Sequence, residues 1–244
     1  MENRREKEYT ILTSLCDAQG KLSVPGVFDV FMDMAADHAA RLGVGYHDML
    51  DRRCYWVAVR TRVRVTRFPR LGEVMSAETW PGKPGLAKSD RYYRLRAGEE
   101  LLAEGRTEWG VQDIDTGAVR RMDSVGFPME LPLWEERVCA EPFTRFKDSD
   151  FADITDVRPY TVSSMDIDVG RHMNNVAYIR MLMGTFTTEE QEAMDVSEVE
   201  ISYRRACFEG EELRIVRRRT ESGWQFQVRR PDGETAVHAA MILR

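Results

Sequence analysis

The chain has 244 residues, of which 43% are hydrophobic and 31% are charged, and its formal net charge is −6. This length can bury a full core, as one large domain or as two units of roughly 100 to 130 residues. The negative charge disfavours a nucleic-acid-binding protein, and no apolar run approaches the ~18 residues of a membrane-spanning helix. We therefore expect no nucleic-acid partner and no membrane insertion.

The first residues and the cysteines favour a cytoplasmic protein. The opening stretch MENRREKEYT lacks the apolar segment of a secretory signal. The cysteines are widely spaced, with no CxxC pair and no metal-ligand spacing to histidine, at Cys16, Cys54, Cys139 and Cys207. We expect reduced thiols, mostly buried as small hydrophobes, and neither a metal nor a cofactor.

The first half predicts a strand, a long helix and then antiparallel strands. After the strand EYTILTSLC, Ser23 is a plausible N-cap with Pro25 in the first turn. A helix ending near Gly43 is indicated by apolar residues at helical spacing, namely Phe28, Phe31, Met32, Ala35, Ala39 and Leu42. The alternation in CYWVAVRTRVRVTRF predicts a strand whose buried face carries Val57, Val59, Thr61, Val63 and Val65. VMSAETW, KSDRYYRLR and LLAEGRTEWGVQD predict further strands.

The second half repeats this order of elements. RPYTVSSMD predicts a short strand and NNVAYIRMLMGTF a helix, followed by the strands VSEVEISYRRACF, LRIVRRRT, GWQFQVRR and TAVHAAMILR. Residues 123–157 have no clean periodicity and contain Pro128, Pro132 and Pro142. We predict an N-terminal unit at 1–122, a connection at 123–157 and a C-terminal unit at 158–244.

The shared order of elements over two whole units indicates a tandem duplication. One such unit alone would leave a face of its antiparallel sheet uncovered except where the helix lies on it. We therefore predict an α+β fold in which two long helices are wrapped by a continuous antiparallel β-sheet.

Three stretches carry a resemblance to a known family: YWVAVRTRVRVTRFPRLGEVMSAETW, DIDVGRHMNNVAYI and EVEISYRRAC. They resemble acyl-acyl carrier protein thioesterases, the plant FatA and FatB type and bacterial relatives, which have a tandem double hotdog fold. The resemblance covers nearly the whole chain apart from the connection. It implies an enzyme of fatty acid biosynthesis, a thiolester hydrolase that releases free fatty acid from the phosphopantetheine arm of acyl carrier protein.

The family motif Asp-x-Asn-x-His-x-Asn-Asn aligns with Asp168, His172, Asn174 and Asn175, but its middle Asn falls on Gly170. The resemblance implies that His172 is the proton acceptor and Asp168 its partner. An imidazole titrates near neutral pH, and an adjacent carboxylate fixes its tautomer. Spacing alone equally allows His172 to pack at a helix start and Asp168 to make a turn.

Asn174 or Asn175 fits the N-cap of the second helix, whose other N–H groups could stabilise a thioester oxyanion. The family's Tyr-Arg-Arg-Glu-Cys ends here on Cys207, with Ala206 in place of Glu. Counting by twos from Val199 puts Cys207 on the apolar face of its strand. There it could be a nucleophile paired with His172, a wall of the cavity or an inert core thiol.

The acyl chain is expected between helix and sheet in the first half, with Trp56 among the binding residues. Acyl carrier protein is acidic, so its docking site on this protein should be basic. The candidates are the stripe of Arg60, Arg62 and Arg64 and the run from Arg217 to Arg219. Both patterns are also typical of solvated strand faces. Two alternatives stay open: an acyl-CoA thioesterase of the same fold, and a catalytically weak acyl-binding protein. The duplication suits a monomer, and a homodimer remains compatible.

Overall fold

The computed structural model describes residues 3–132 and 134–244. The chain divides into two compact units, Met1–Glu141 and Pro142–Arg244, here called unit 1 and unit 2. None of the helices in the described ranges is long and apolar enough to cross a membrane.

Unit 1 consists of a long helix, a short helix and a five-stranded antiparallel sheet among its described residues. The helices are α1, Val24–Arg41, and α2, Tyr46–Asp51. The strands are β1, Arg5–Thr10; β2, Cys54–Val65; β3, Val74–Pro81; β4, Lys88–Ala97; and β5, Glu100–Asp113. Their order in the sheet is β1-β3-β4-β5-β2. The predicted strand, long helix and following strands are therefore present.

Helix α1 begins at the predicted cap, because the Ser23 hydroxyl accepts a hydrogen bond from Gly26 N–H at 3.0 Å. Its buried face contains the predicted Phe28, Phe31 and Ala35, and also Val27, Val30, Met34 and His38. Met32 and Ala39, which were predicted on the same face, are only half-buried. The ring of Phe31 stacks on Tyr93 with centroids 4.6 Å apart.

A β-bulge in β2 corrects the predicted buried face of that strand. Its pairing with β5 shifts register between Ala58 and Arg60, which inserts one extra residue. The side chains therefore change faces at the bulge, and the inner face carries Cys54 and Ala58 before it, then Thr61, Val63 and Val65. Arg62, on the face predicted to be solvated, is also buried. Val57 and Val59 are half-buried and do not belong to one continuous inner face.

Unit 2 repeats the order strand, helix and four strands. Its strands are β6, Val157–Thr161; β7, Val196–Tyr203; β8, Glu212–Thr220; β9, Gly223–Arg229; and β10, Thr235–Leu243. They are antiparallel in the order β7-β10-β9-β8-β6. Its helices are α3, Asn175–Met183, and α4, Thr188–Glu192.

The prediction of a second long helix is wrong. Helix α3 has nine residues, whereas α1 has eighteen. It ends at Gly184, a residue with low helix propensity. Thr187 then starts α4 with a capping box closed by Glu190, so the chain begins a new helix instead of extending the first. The strand predicted through Cys207 also ends earlier, at Tyr203.

Candidate active site

The segment before α3 is fixed by Asp166. Its carboxylate accepts hydrogen bonds from Ser163 N–H at 2.8 Å, from the Ser163 hydroxyl at 2.9 Å and from the Tyr160 hydroxyl at 2.9 Å. Its backbone carbonyl accepts from Asn174 N–H at 2.8 Å. Asp166 therefore anchors both ends of the loop that carries the motif. The role of Asp166 in fixing this loop was not predicted, although Ser163-x-x-Asp166 has the spacing of a capping box.

A tight turn brings Asp168 and His172 together. Gly170 N–H donates to Asp168 Oδ1 at 2.8 Å, and Asp168 N–H donates to the His172 carbonyl at 3.1 Å. Arg171 has a φ of 60°, in the left-handed region, so the bend that was expected at Gly170 is completed by its neighbour. As a result, His172 Nδ1 lies 3.7 Å from Asp168 Oδ1, and both side chains are about one quarter exposed.

Gly170 lies directly against this pair. A Cβ at this position would be 2.9 Å from His172 Nε2 and 3.0 Å from Asp168 Oδ1. Both distances are shorter than ordinary contacts of a carbon with these atoms. A side chain at this position would therefore displace His172 or Asp168 from the observed pairing, and this holds for the family's Asn.

The N-terminus of α3 is capped by Asn174, whose Oδ1 accepts from Val176 N–H at 2.7 Å. The N–H group of Tyr178, two residues further along the helix, is bonded to the Asn174 carbonyl. In the described part of the chain, the N–H groups of Asn175 and Ala177 have no such partner. They and the helix dipole give this end of α3 a partial positive charge beside His172.

Next to α3, the buried Cys207 and Tyr178 form a polar cluster with the half-buried Tyr203. Cys207 N–H donates to the Tyr178 hydroxyl at 3.1 Å, and the Tyr203 hydroxyl donates to the Asn175 carbonyl at 3.1 Å. The two tyrosine rings meet edge to face at 5.7 Å. Burial raises the pKa of both phenols. No pattern in the sequence pointed to Tyr178.

Cys207 is fully buried, as predicted, but the reasoning by strand parity was wrong because β7 ends before it. Burial raises the pKa of its thiol to about 11. A thiol with this pKa is almost entirely protonated at neutral pH, which disfavours the nucleophile and favours the wall or core role. The carbonyl of Cys207 accepts from Met173 N–H at 2.8 Å and so helps to hold the turn. Ala206 is exposed.

Trp56, the residue assigned to acyl binding, lies in unit 1. Its indole N–H donates to the Val44 carbonyl at 2.8 Å. Its ring meets Trp109 and Phe127 edge to face and packs against an apolar cluster that includes Val44, Met49 and Cys54. The structure therefore gives Trp56 a packing role, and its contact with an acyl chain stays a prediction.

The four histidines of the chain differ sharply in environment. His38 and His238 are completely buried, whereas His47 lies exposed on α2. His172 alone combines partial exposure with a neighbouring carboxylate in an ion-pair contact. Among the described residues, no cluster of three or more His, Cys, Asp and Glu could hold a metal ion.

These features define a chain of two hotdog units with a histidine–carboxylate pair in the turn that precedes α3. Solved structures show the same fold: that of a 12:0-ACP thioesterase from Umbellularia californica has a TM-score of 0.85 and 20% identity, covering 100% of this chain and 98% of that one. An acyl-ACP thioesterase from Bacteroides thetaiotaomicron has a TM-score of 0.81 and 18% identity, covering 99% and 98%. The predicted α+β double hotdog is therefore confirmed.

The sequence matches the acyl-ACP thioesterase N-terminal domain over residues 2–125 and the acyl-ACP thioesterase C-terminal domain over residues 152–242. The chain belongs to the acyl-ACP thioesterase family, as the resemblance implied. A similar protein is the chloroplastic palmitoyl-acyl carrier protein thioesterase of Arabidopsis thaliana, 26% identical over an alignment of 231 residues that covers 82% of this chain and 52% of that protein. The chain spans about half the length of the curated relatives it matches.

Proposed function

We propose that this protein is a thiolester hydrolase that releases free fatty acid from acyl carrier protein. The observation that carries the proposal is the Asp168–His172 pair at the N-terminus of α3, within the part of the chain that matches the family's C-terminal domain. Relatives named palmitoyl- and oleoyl-acyl carrier protein thioesterases support the same substrate class.

In this proposal His172 takes a proton from water, and the hydroxide equivalent attacks the thioester carbonyl carbon. The charge that develops on His172 is stabilised by Asp168, whose carboxylate is held in place by Gly170 N–H. The separation of 3.7 Å is longer than a hydrogen bond, and catalytic contacts in unliganded enzymes often tighten with substrate. The proton on the imidazole then passes to the leaving thiolate, and no covalent acyl-enzyme is needed.

The oxyanion of the tetrahedral intermediate would be stabilised by the N-terminus of α3. Among the residues that the structure describes, Asn175 N–H and Ala177 N–H are the donors of the first turn that neither the cap nor the helix uses. Such donors typically contribute about 3 to 4 kcal/mol each to transition-state stabilisation. Asn174 would contribute indirectly, because its cap bond to Val176 N–H fixes where the helix begins.

The arginines first considered for carrier docking are largely paired within their own units. Arg60 contacts both oxygens of Glu108, and the buried Arg217 contacts Asp156 at 2.8 Å. An open groove of about 840 Å³ in unit 2 is a better candidate. Its lining includes five arginines, Arg204, Arg205, Arg214, Arg229 and Arg230, and the acids Asp148 and Glu234. Arg214 is exposed, and in the described part of the chain it has no ion-pair partner.

The test of the proposed reaction is thiol release from acyl carrier protein substrates of several chain lengths. We expect His172→Ala to lower kcat/KM by about 10²- to 10⁴-fold, the range for loss of a general base. His47→Ala, which removes the exposed histidine of α2, is the matched control and should have wild-type activity. Equal rates for wild type and His172→Ala would refute the enzyme and leave the acyl-binding alternative.

The choice of carrier is tested separately, by comparing acyl carrier protein with coenzyme A thioesters of one acyl chain. A higher kcat/KM on the carrier protein supports the proposal, and the reverse supports the acyl-CoA alternative. If the arginine groove receives the carrier, Arg214→Ala should raise KM for the protein substrate more than for the coenzyme A ester. Arg158→Ala, an exposed arginine of unit 2 on β6 that does not line the groove, is the control. The cytoplasmic location and the oligomeric state stay predictions.

A further inference from the structure

Unit 1 contains a buried cation that no carboxylate of its described residues balances. Arg91, on β4, is only 7% exposed. Its Nη1 donates to His38 Nδ1 at 3.0 Å and to Thr79 Oγ1 at 3.3 Å. Within residues 3–132 and 134–244, no acidic side chain forms an ion pair with this guanidinium. Desolvation lowers the pKa of Arg91, as expected for a cation without an anionic neighbour.

A second buried arginine on the same strand shows the usual arrangement. Arg94 is 8% exposed, and its guanidinium contacts Glu104 at 2.9 Å and also contacts Glu136. Buried charges are normally paired in this way, because an isolated ion in the protein interior costs folding free energy. The lack of an ion-pair partner among the described residues is therefore specific to the surroundings of Arg91 and is not general for buried arginines in this fold.

The hydrogen-bond donors of Arg91 are also incompletely used. A guanidinium has five N–H donors and no acceptor, and both contacts come from Nη1. Nη2 and Nε have no hydrogen-bond partner among the described residues. His38 Nδ1 must accept, since arginine only donates, so the ring is uncharged with its proton on Nε2. Neither His38 nor Thr79 supplies negative charge.

The layer around Arg91 combines apolar rings with hydroxyl groups. Tyr93, two residues along the same face of β4, stacks on Phe31 of α1 and accepts from Trp109 Nε1 at 3.4 Å. Thr107 lies opposite Arg91 in the β4–β5 register and pairs with the hydroxyl of Thr61 at 3.0 Å. Rings can contact a hydrocarbon chain, and the guanidinium fork matches the two oxygens of a carboxylate.

We propose that Arg91 is the anion-binding group of a ligand site between α1 and the sheet of unit 1, and that the ligand is a carboxylate at the end of an aliphatic chain. Two sources share this chemistry. One is a free fatty acid that binds with its carboxylate inward. The other is an acyl substrate with a second carboxylate at its far end, and only this second source rests on the proposed hydrolysis.

The first test measures binding of decanoate and of 1-decanol to the intact protein by calorimetry, which needs no turnover. Wild type should bind the carboxylate at least about tenfold more tightly than the alcohol, since a charge-assisted pair replaces a neutral one. Arg91→Met should abolish this preference and leave alcohol binding unchanged. Arg91→Lys should restore part of it, and Arg94→Met should retain it in full.

A thermal melt of each variant without ligand separates ligand binding from a structural role. Arg91→Met should unfold at the same temperature as wild type or higher, because it removes an unbalanced buried charge, whereas Arg94→Met should unfold at a lower temperature. Equal affinity of wild type for decanoate and decanol would overturn the proposal. So would loss of the preference in Arg94→Met to the same extent as in Arg91→Met.

The second test compares thioesters with and without a terminal carboxylate on chains of one length. Wild type would then have a higher kcat/KM for the carboxylated chain, and Arg91→Met would lose this preference. That result identifies the acyl substrate as the source of the carboxylate. No such preference, together with tight decanoate binding, identifies the free acid. If no thioester is hydrolysed at all, the proposed function fails, and the calorimetry still decides the role of Arg91.

Discussion

Asp168 and His172 are paired through the backbone of Gly170. The carboxylate of Asp168 accepts the Gly170 N–H at 2.8 Å and lies 3.7 Å from His172 Nδ1. The turn between them does not have helical geometry, since α3 begins only at Asn175. The pairing therefore depends on the turn, and each of its members can be tested separately.

Asp168→Asn should preserve the turn and lower activity. An amide oxygen can still accept from Gly170 N–H, but it cannot stabilise a charged imidazole. We expect kcat to fall by roughly tenfold or more, since a neighbouring opposite charge is typically worth one or more pKa units. The acidic limb of the pH–rate profile should shift to lower pH in this variant, because loss of the neighbouring negative charge disfavours the protonated imidazole. An unchanged kcat and profile would show that Asp168 is only a turn residue.

Gly170→Asn should lower activity, although it restores the family's side chain at this position. The new Cβ would lie 2.9 Å from His172 Nε2, so the imidazole must move away from its observed position. Loss of a positioned base in this way should reduce kcat by about tenfold or more. Val169→Ala, an exposed change in the same loop, is the control. Strongly increased turnover in Gly170→Asn would instead indicate a site that has drifted from the family pattern.

Cys207→Ala should leave the reaction largely intact. A thiol whose pKa is about 11 has a thiolate fraction of about 10⁻⁴ at pH 7, too small for an efficient nucleophile. We expect kcat/KM within roughly threefold of wild type once the folded fraction is taken into account. Cys54→Ala, at a buried cysteine of unit 1, controls for lost packing. A folded Cys207→Ala variant without activity would restore the covalent mechanism.

Asn174→Ala should destabilise the protein through the lost helix cap. The Asn174 Oδ1 is the acceptor for Val176 N–H, and removal of an N-cap side chain typically costs about 1 kcal/mol. Asn175→Ala removes a neighbouring amide that has no cap bond and should cost less. Urea unfolding of the two variants measures the difference. Equal free energies of unfolding would mean that the cap contributes nothing to stability.

His238 should make stability depend on pH between about 4 and 6.5. Burial and the nearby Arg204 lower its pKa to about 4, against 6.5 for an ordinary histidine, while Asp148 opposes them. The unfolded chain therefore binds more protons in this window, so stability falls as pH decreases through it. Between pH 7 and pH 5 this group alone should cost about 2 kcal/mol of unfolding free energy.

His238→Phe should reduce that pH dependence and keep the ring that stacks on Phe146. The carboxyl pKa values near 2, those of Asp37, Asp113 and Glu136, lie below the window and do not confuse the comparison. Urea unfolding of wild type and variant at both pH values is the measurement. The prediction is wrong if both lose the same free energy.

The sequence by itself determined the order of elements and the family. Hydrophobic periodicity and turn residues are local properties, so the strand, helix and strands of each unit could be predicted from them, as could the Ser23 cap of α1. The motif placed Asp168, His172 and Asn174 within one short segment, and the turn at Gly170 and Arg171 brings Asp168 and His172 together.

The tertiary structure decided what depends on contacts between distant segments. The bulge in β2 moved Val57 and Val59 off the inner face because pairing with β5, not the alternation of residues, sets the register. In the sequence, Gly170 is a position where the side-chain amide of the family motif is missing. In the structure, the turn places Gly170 directly against His172. From the sequence alone, Arg91 is one more charged residue of a strand. The packing of α1 on the sheet buries it beside His38, with no carboxylate partner among the described residues. Burial and the balance of charge are properties of the whole fold, and local sequence does not specify them.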